Sequence, residues 1–143
     1  MIVDDTDKHL LSLLRRNSRT SIADLARELS LSRSTVKDRI NRLETKGFIK
    51  GYSLVLSDEF TKGHVSAHVM VKLDTIKSAN IIRRLKQFPQ ITRAYAVSGL
   101  YDLIAVVEAE STGELDEVLD AIRELEGIKD TLTSVVLSTK FEK

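Results

Sequence analysis

Five side chains able to read or grip a nucleic acid lie within ten positions of one another: Arg33, Ser34, Lys37, Asn41 and Arg42. Arg and Asn pair bidentately with base edges, while Ser, Lys and Arg hold phosphates. A second group, Ser98-Gly99-Leu100-Tyr101-Asp102, offers different chemistry. Its glycine lets backbone N–H groups approach a carboxylate closely, and Asp102 supplies a single anion for an ammonium group. The same five residues also suit a plain hairpin turn in which Asp102 caps its own backbone.

Chemistry of other kinds is not assembled. The sequence has no glycine-rich phosphate cradle, no nucleophile elbow and no histidine pair at helical metal spacing. His64 and His68 fall on a strand pattern, about 13 Å apart and too distant to share a metal. Paired acids such as Glu108 with Glu110, and Asp116 with Glu117, read as solvated charge. An enzyme is not expected, nor is a metal or any other cofactor.

The first group needs an element that presents it outward. Ile22, Leu25, Ala26 and Leu29 repeat at helical spacing behind Ser21, a suitable N-cap. After the turn Ser30-Leu31-Ser32, a second helix capped by Ser32 carries Val36, Ile40 and Leu43 inward and stops near Gly47. Two short helices with a polar, basic outer face on the second form a helix-turn-helix pattern, whose second helix enters the major groove. Asp4 and Asp5 open an earlier helix through Leu10, Leu11, Leu13 and Leu14, with Arg15 and Arg16 near its end as the helix dipole favours. It completes a three-helix unit. Phe48-Ile49, then Tyr52, Leu54 and Leu56, predict a wing strand from which Lys46, Lys50 and Tyr52 reach phosphates. The domain boundary is expected in the linker-like stretch Ser57-Asp58-Glu59-Phe60-Thr61-Lys62-Gly63.

The second group lies between apolar strands. A strand over 64–73 is followed by a helix from Ser78 that must end before Pro89, then by strands over 91–98 and 101–108. Ser111 with Glu114 predicts a capping box on a helix closed by Gly127, and 131–139 predicts the last strand. The order is β-α-β-β-α-β, with both helices on one face of an antiparallel sheet. The other face is partly apolar and is expected to be covered by a second copy.

Charge divides the chain the same way. Residues 1–52 hold 11 Lys+Arg against 7 Asp+Glu, a balance of +4; residues 53–143 hold 11 against 14, a balance of −3. A polyanion suits the first piece and something else the second. There are no cysteines among the 143 residues, no apolar run long enough for a bilayer, and no export signal in MIVDDTDK, so a cytoplasmic location without membrane contact is expected.

Leu31-Ser32-Arg33-Ser34-Thr35-Val36, Arg39-Ile40-Asn41-Arg42-Leu43-Glu44, Gly47-Phe48-Ile49 with Gly51-Tyr52, the 98–102 loop, and Gly127-Ile128 with Thr131 and Thr133 form an ordered set. It resembles the Lrp/AsnC family of leucine-responsive and asparagine-activated regulators, the feast/famine proteins, over nearly the whole chain. The resemblance implies an α+β protein. Residues 1–52 would form a winged helix-turn-helix, 53–63 a hinge strand and linker, and 64–143 a ferredoxin-like effector-binding and oligomerisation domain. It implies a homodimer that assembles into tetramers or octamers on double-stranded DNA, and an effector, usually an amino acid, held near the glycine-aspartate loop. Carried over, the effector residues are Val97, Ser98, Gly99, Leu100, Tyr101 and Asp102, with Thr131, Thr133 and Ser134 on the last strand. The candidate DNA contacts are Ser32, Arg33, Ser34, Thr35, Lys37, Arg39, Asn41, Arg42 and Lys46. Arg33, Ser34, Lys37 and Asn41 suit base or groove contacts, whereas Arg39, Arg42 and Lys46 suit phosphates or buttressing of the helix. The expected function is effector-responsive, sequence-specific transcriptional regulation. Effector-independent DNA compaction, and a metabolite sensor acting on a protein partner, are the alternatives.

Overall fold

The computed structural model describes residues 2–74, 76 and 78–143. The chain divides into two compact units, Met1–Val55 and Leu56–Lys143.

The first unit holds helices α1 (Asp5–Arg16), α2 (Ile22–Leu29) and α3 (Arg33–Thr45). Their apolar faces meet in one core, with Leu10, Leu25, Val36 and Leu43 fully buried. The helix ends follow local chemistry. Asp4 accepts from the Asp7 N–H at 2.7 Å, and Asp7 accepts in return from the Asp4 N–H at 3.3 Å, a capping box made of two acids. Ser21 accepts from the Asp24 N–H, starting α2. Beyond α3, Phe48 N–H donates to the Leu43 carbonyl and Gly47 N–H to Glu44, with Gly47 at φ 79°. These are the two bonds of a Schellman stop.

α2 ends in the same pair of bonds, from Leu31 N–H to Ala26 and from Ser30 N–H to Arg27. Here the left-handed position is held by Ser30, at φ 56°. A side chain in that conformation is strained, so Ser30→Gly is expected to stabilise this unit by about 0.5–1 kcal/mol. Urea unfolding of the full chain measures it, and an unchanged midpoint would count against the strain.

The wing strand is not formed. Residues 51–57 carry no regular secondary structure. A strand needs a hydrogen-bonded neighbour, and no described residue of the chain supplies one; Leu54 is 84% and Val55 94% exposed.

The second unit runs β1 (Val65–Leu73), α4 (Ser78–Lys86), β2 (Ile91–Ala96), β3 (Leu103–Ala109), α5 (Thr112–Arg123) and β4 (Ile128–Val135). The sheet order is β2-β3-β1-β4, antiparallel throughout. Alternate residues Ala67, Val69, Val71 and Leu73 of β1 share a buried core with Ile81 and Leu85 of α4 and Leu115, Val118 and Ile122 of α5. β4 begins and ends earlier than the periodicity suggests. Gly127, at φ 97°, turns the chain directly onto β1, where Ile128 pairs with Leu73. At the far end Val135 pairs with Ala67, near the start of β1. The capping box on α5 is half formed: Ser111 accepts from the Glu114 N–H, but the Glu114 carboxylate bonds the Glu110 N–H and the Gln90 amide. Those two donors, Gln90 first, hold its carboxyl below the ordinary value.

The face away from the helices carries an apolar row across all four strands. Tyr95 pairs with Ile104, Ile104 with Met70, and Met70 with Leu132. Tyr95 is 45% and Leu132 50% exposed. No helix among the described residues is long and apolar enough to cross a membrane.

Candidate nucleic-acid interface and ligand loop

α3 is about 20 Å long at 1.5 Å per residue, a rod that a major groove roughly 12 Å wide admits. Val36 and Leu43 are buried, while Arg33, Ser34, Lys37, Asn41, Arg42 and Lys46 are exposed. Its N-terminus gathers hydroxyls. Ser32 Oγ accepts from the Thr35 N–H at 3.2 Å and lies 3.2 Å from Ser34 Oγ and 2.7 Å from Thr35 Oγ1. Hydroxyls fixed at the positive end of a helix dipole, beside the Arg33 cation, suit a phosphate oxygen.

Arg39 departs from this group. Its guanidinium donates to both carboxylate oxygens of Asp4 at 2.9 Å and to Asp7 at 2.8 Å. The Arg39 side chain is 20% exposed and that of Asp7 only 1%. Those two acids, Asp4 foremost, hold Arg39 in its charged form. Its Nη1 is turned to α1, so it fastens α3 from behind, as the buttressing role expects. Tyr52 is similarly occupied, donating to Glu44 at 3.4 Å. Nothing in the sequence pattern pairs Arg39 with acids 32 and 35 positions earlier.

The loop between β2 and β3 is held by three bonds. Val97 N–H donates to the Asp102 carbonyl at 3.0 Å, and Asp102 N–H to Val71 at 2.9 Å. The Asp102 carboxylate accepts from the Leu73 N–H at 2.8 Å. Asp102 therefore caps the end of β1 and not its own turn. One carboxylate oxygen has no partner among the described residues. Gly99 sits at φ 127°, and a Cβ placed there would meet nothing within 4 Å, so backbone conformation alone accounts for the glycine. Ser98, Gly99 and Leu100 are exposed, and Val97 and Tyr101 half-buried.

The three residues of the last strand do not act from one side. Thr131 pairs with Val71 and Thr133 with Val69, both core-facing positions, and both threonines are half-buried. Ser134 pairs with exposed His68 and lies on the opposite face. Within one chain Ser134 therefore faces away from the two threonines.

Known proteins combine these two units. Residues 3–50 match a family model described as winged helix-turn-helix DNA-binding. Residues 66–143, more than half of the chain, match the Lrp/AsnC ligand binding domain. The chain belongs to the Lrp/AsnC family. It is 31% identical to the HTH-type transcriptional regulator LysM of Sulfurisphaera tokodaii, over 97% of this chain and 98% of that protein. It is 28% identical to the HTH-type transcriptional regulator FL11 of Pyrococcus furiosus, over 99% of this chain and 93% of that one. Among solved structures it is similar to the feast or famine regulatory protein Rv3291c of M. tuberculosis complexed with L-methionine. That match has a TM-score of 0.87 and 28% identity, covering 99% of this chain and 96% of the other. As an Lrp/AsnC protein, the chain is an effector-responsive DNA-binding transcriptional regulator.

Proposed function

We propose that α3 lies in the major groove of duplex DNA. Arg33, Ser34, Lys37 and Asn41 meet base edges, and Ser32, Thr35, Arg42 and Lys46 hold phosphates. The observation that carries this reading is the division of α3 into two sides: its inward side is locked by Arg39 on Asp4 and Asp7, and its outward side keeps its basic and amide groups exposed. Arg33→Ala is expected to weaken operator binding by about 1–3 kcal/mol and to relax preference at one base position. Fluorescence anisotropy on specific and random duplexes at one salt concentration decides this. Equal weakening on both would move Arg33 to the phosphate class.

Residues 1–52 serve as the DNA-reading piece, 53–63 as the hinge, and 64–143 as the piece that binds effector and assembles. Support for an assembly is the apolar row Tyr95-Ile104-Met70-Leu132, which a second copy would cover to form a two-fold dimer. Tetramers or octamers then follow from contacts between dimers. The exposed 98–100 loop needs such a neighbour to become a pocket, because small ligands bind in concave sites that bury most of their surface. The effector we assign is an amino acid: the Asp102 oxygen that has no partner among the described residues suits its ammonium group and the Gly99 backbone its carboxylate. Rv3291c, a similar protein, was solved with L-methionine. The effector acts by binding one assembly more tightly than another, which shifts the spacing of DNA-reading helices. The protein works in the cytoplasm and performs no catalysis. A thermal-shift screen of the full chain against the proteinogenic amino acids tests the effector class. Stabilisation by one or a few, lost in Asp102→Ala, supports it, and no shift with any of them at millimolar concentration rejects it.

A further inference from the structure

One residue on the outward face of α3 has the wrong sign for a polyanion. Asp38 lies one turn beyond Ser34 and one turn before Arg42, with Asn41 three positions on, so the four share a face. It is exposed, and its carboxylate has no hydrogen bond or ion pair among the described residues. Arg42 stands at the i+4 spacing where such a pair would close, and Lys37 is adjacent. Elsewhere in the same unit Asp5 pairs with Lys8 at 3.8 Å and Asp24 with Arg27 at 3.0 Å. Asp38 thus keeps a free carboxylate at the middle of a face otherwise suited to DNA.

In a major groove that carboxylate is selective. Guanine presents N7 and O6, and thymine O4, so either base sets acceptor against acceptor. Cytosine presents its N4 amino group, a donor with no acceptor beside it on the same base. The phosphates repel the carboxylate whatever the sequence, and only the amino group offsets that repulsion. We propose that Asp38 is a specificity-determining residue that requires the N4 amino group of cytosine at one position of each half-site. The proposal rests on α3 lying in the major groove.

Removing the carboxylate should therefore act in two opposite directions, which a merely structural residue would not do. The test uses the full chain, with selection of binding sites from a randomised duplex pool and titrations at one fixed salt concentration. Wild type is expected to enrich sites with a cytosine at one position of each half-site. Asp38→Ala should keep the rest of the motif and lose roughly tenfold discrimination at that position. On random-sequence duplex it should bind as tightly as wild type or more tightly. Asp38→Asn should move the preference there to adenine, whose N6 and N7 pair bidentately with an amide. If wild type enriches a motif and Asp38→Ala enriches the same motif at equal strength everywhere, the assignment of Asp38 is overturned and the groove reading stands. If wild type neither binds nor enriches any duplex, the groove reading fails and takes this one with it.

Discussion

Arg39→Ala is expected to destabilise the DNA-reading unit by about 3 kcal/mol or more at neutral pH. The substitution leaves the Asp7 carboxylate, 1% exposed, without its cation. An ion left unpaired in a protein interior costs about 3 kcal/mol or more. A unit of 55 residues has a total stability of roughly 3–8 kcal/mol, so the loss is a large share of what is available. Urea unfolding followed by circular dichroism should show an early transition belonging to the helical unit, with the sheet unit unchanged. Replacing Asp7 and Arg39 together by apolar residues of similar volume should recover much of the loss, since the cost lies in the stranded charge. If Arg39→Ala left the midpoint unchanged, the latch would be ornamental and Arg39 would return to the candidates for phosphate contact. The same latch has an acid limit. The Asp7 backbone N–H first, and the Arg39 guanidinium second, hold the Asp4 carboxyl below its ordinary value of 3.8. A carboxyl lowered on folding contributes stability that is complete above the unfolded value and lost as pH falls through the folded one. The unit should therefore weaken below pH 3.8 by this route, and less so in Arg39→Ala, where part of the lowering is already gone.

Leu132→Asp is expected to abolish assembly without unfolding the chain. Leu132 is 50% exposed in the single chain, so the fold tolerates a polar group there. In a dimer closed over the row Tyr95-Ile104-Met70-Leu132, two new carboxylates would be buried without partners. A penalty of about 3 kcal/mol raises the dimer dissociation constant by roughly a hundredfold. Sedimentation at micromolar concentration should then give 16.0 kDa for the variant, against at least twice that for wild type. Affinity for a two-half-site operator should fall by roughly 10²-fold or more, because one bound helix no longer holds its partner near the second half-site. A dimer of normal affinity in Leu132→Asp would move the interface to another surface.

How much of this was legible in the sequence depends on how local the cause is. Caps were legible because each is set within four residues: Ser21, Ser32 and Gly47 terminate their helices as their types require. So was the sheet, since the alternation Ala67, Val69, Val71, Leu73 is an inward face whatever its neighbours. The row of β1 partners was not, because β4 ends where β1 runs out, a matter of register between distant segments. Alternation alone separates Ser134 from Thr131 and Thr133, but which face each takes is set by pairing with His68, Val71 and Val69. Arg39 was ambiguous between phosphate and buttress until its distance to Asp4 and Asp7 was known. The stretch from Tyr52 to Leu56 alternates like a strand yet remains unpaired, because propensity does not supply a neighbour.

Interference by methylated guanine tests whether the outward face of α3 enters the major groove. Duplexes selected by the full chain would be methylated at guanine N7, in the major groove, or at adenine N3, in the minor groove, then bound and separated. Loss of binding from N7 methylation at two clusters about one helical turn apart is the predicted result. Binding blocked only by N3 methylation, or by neither, would contradict it.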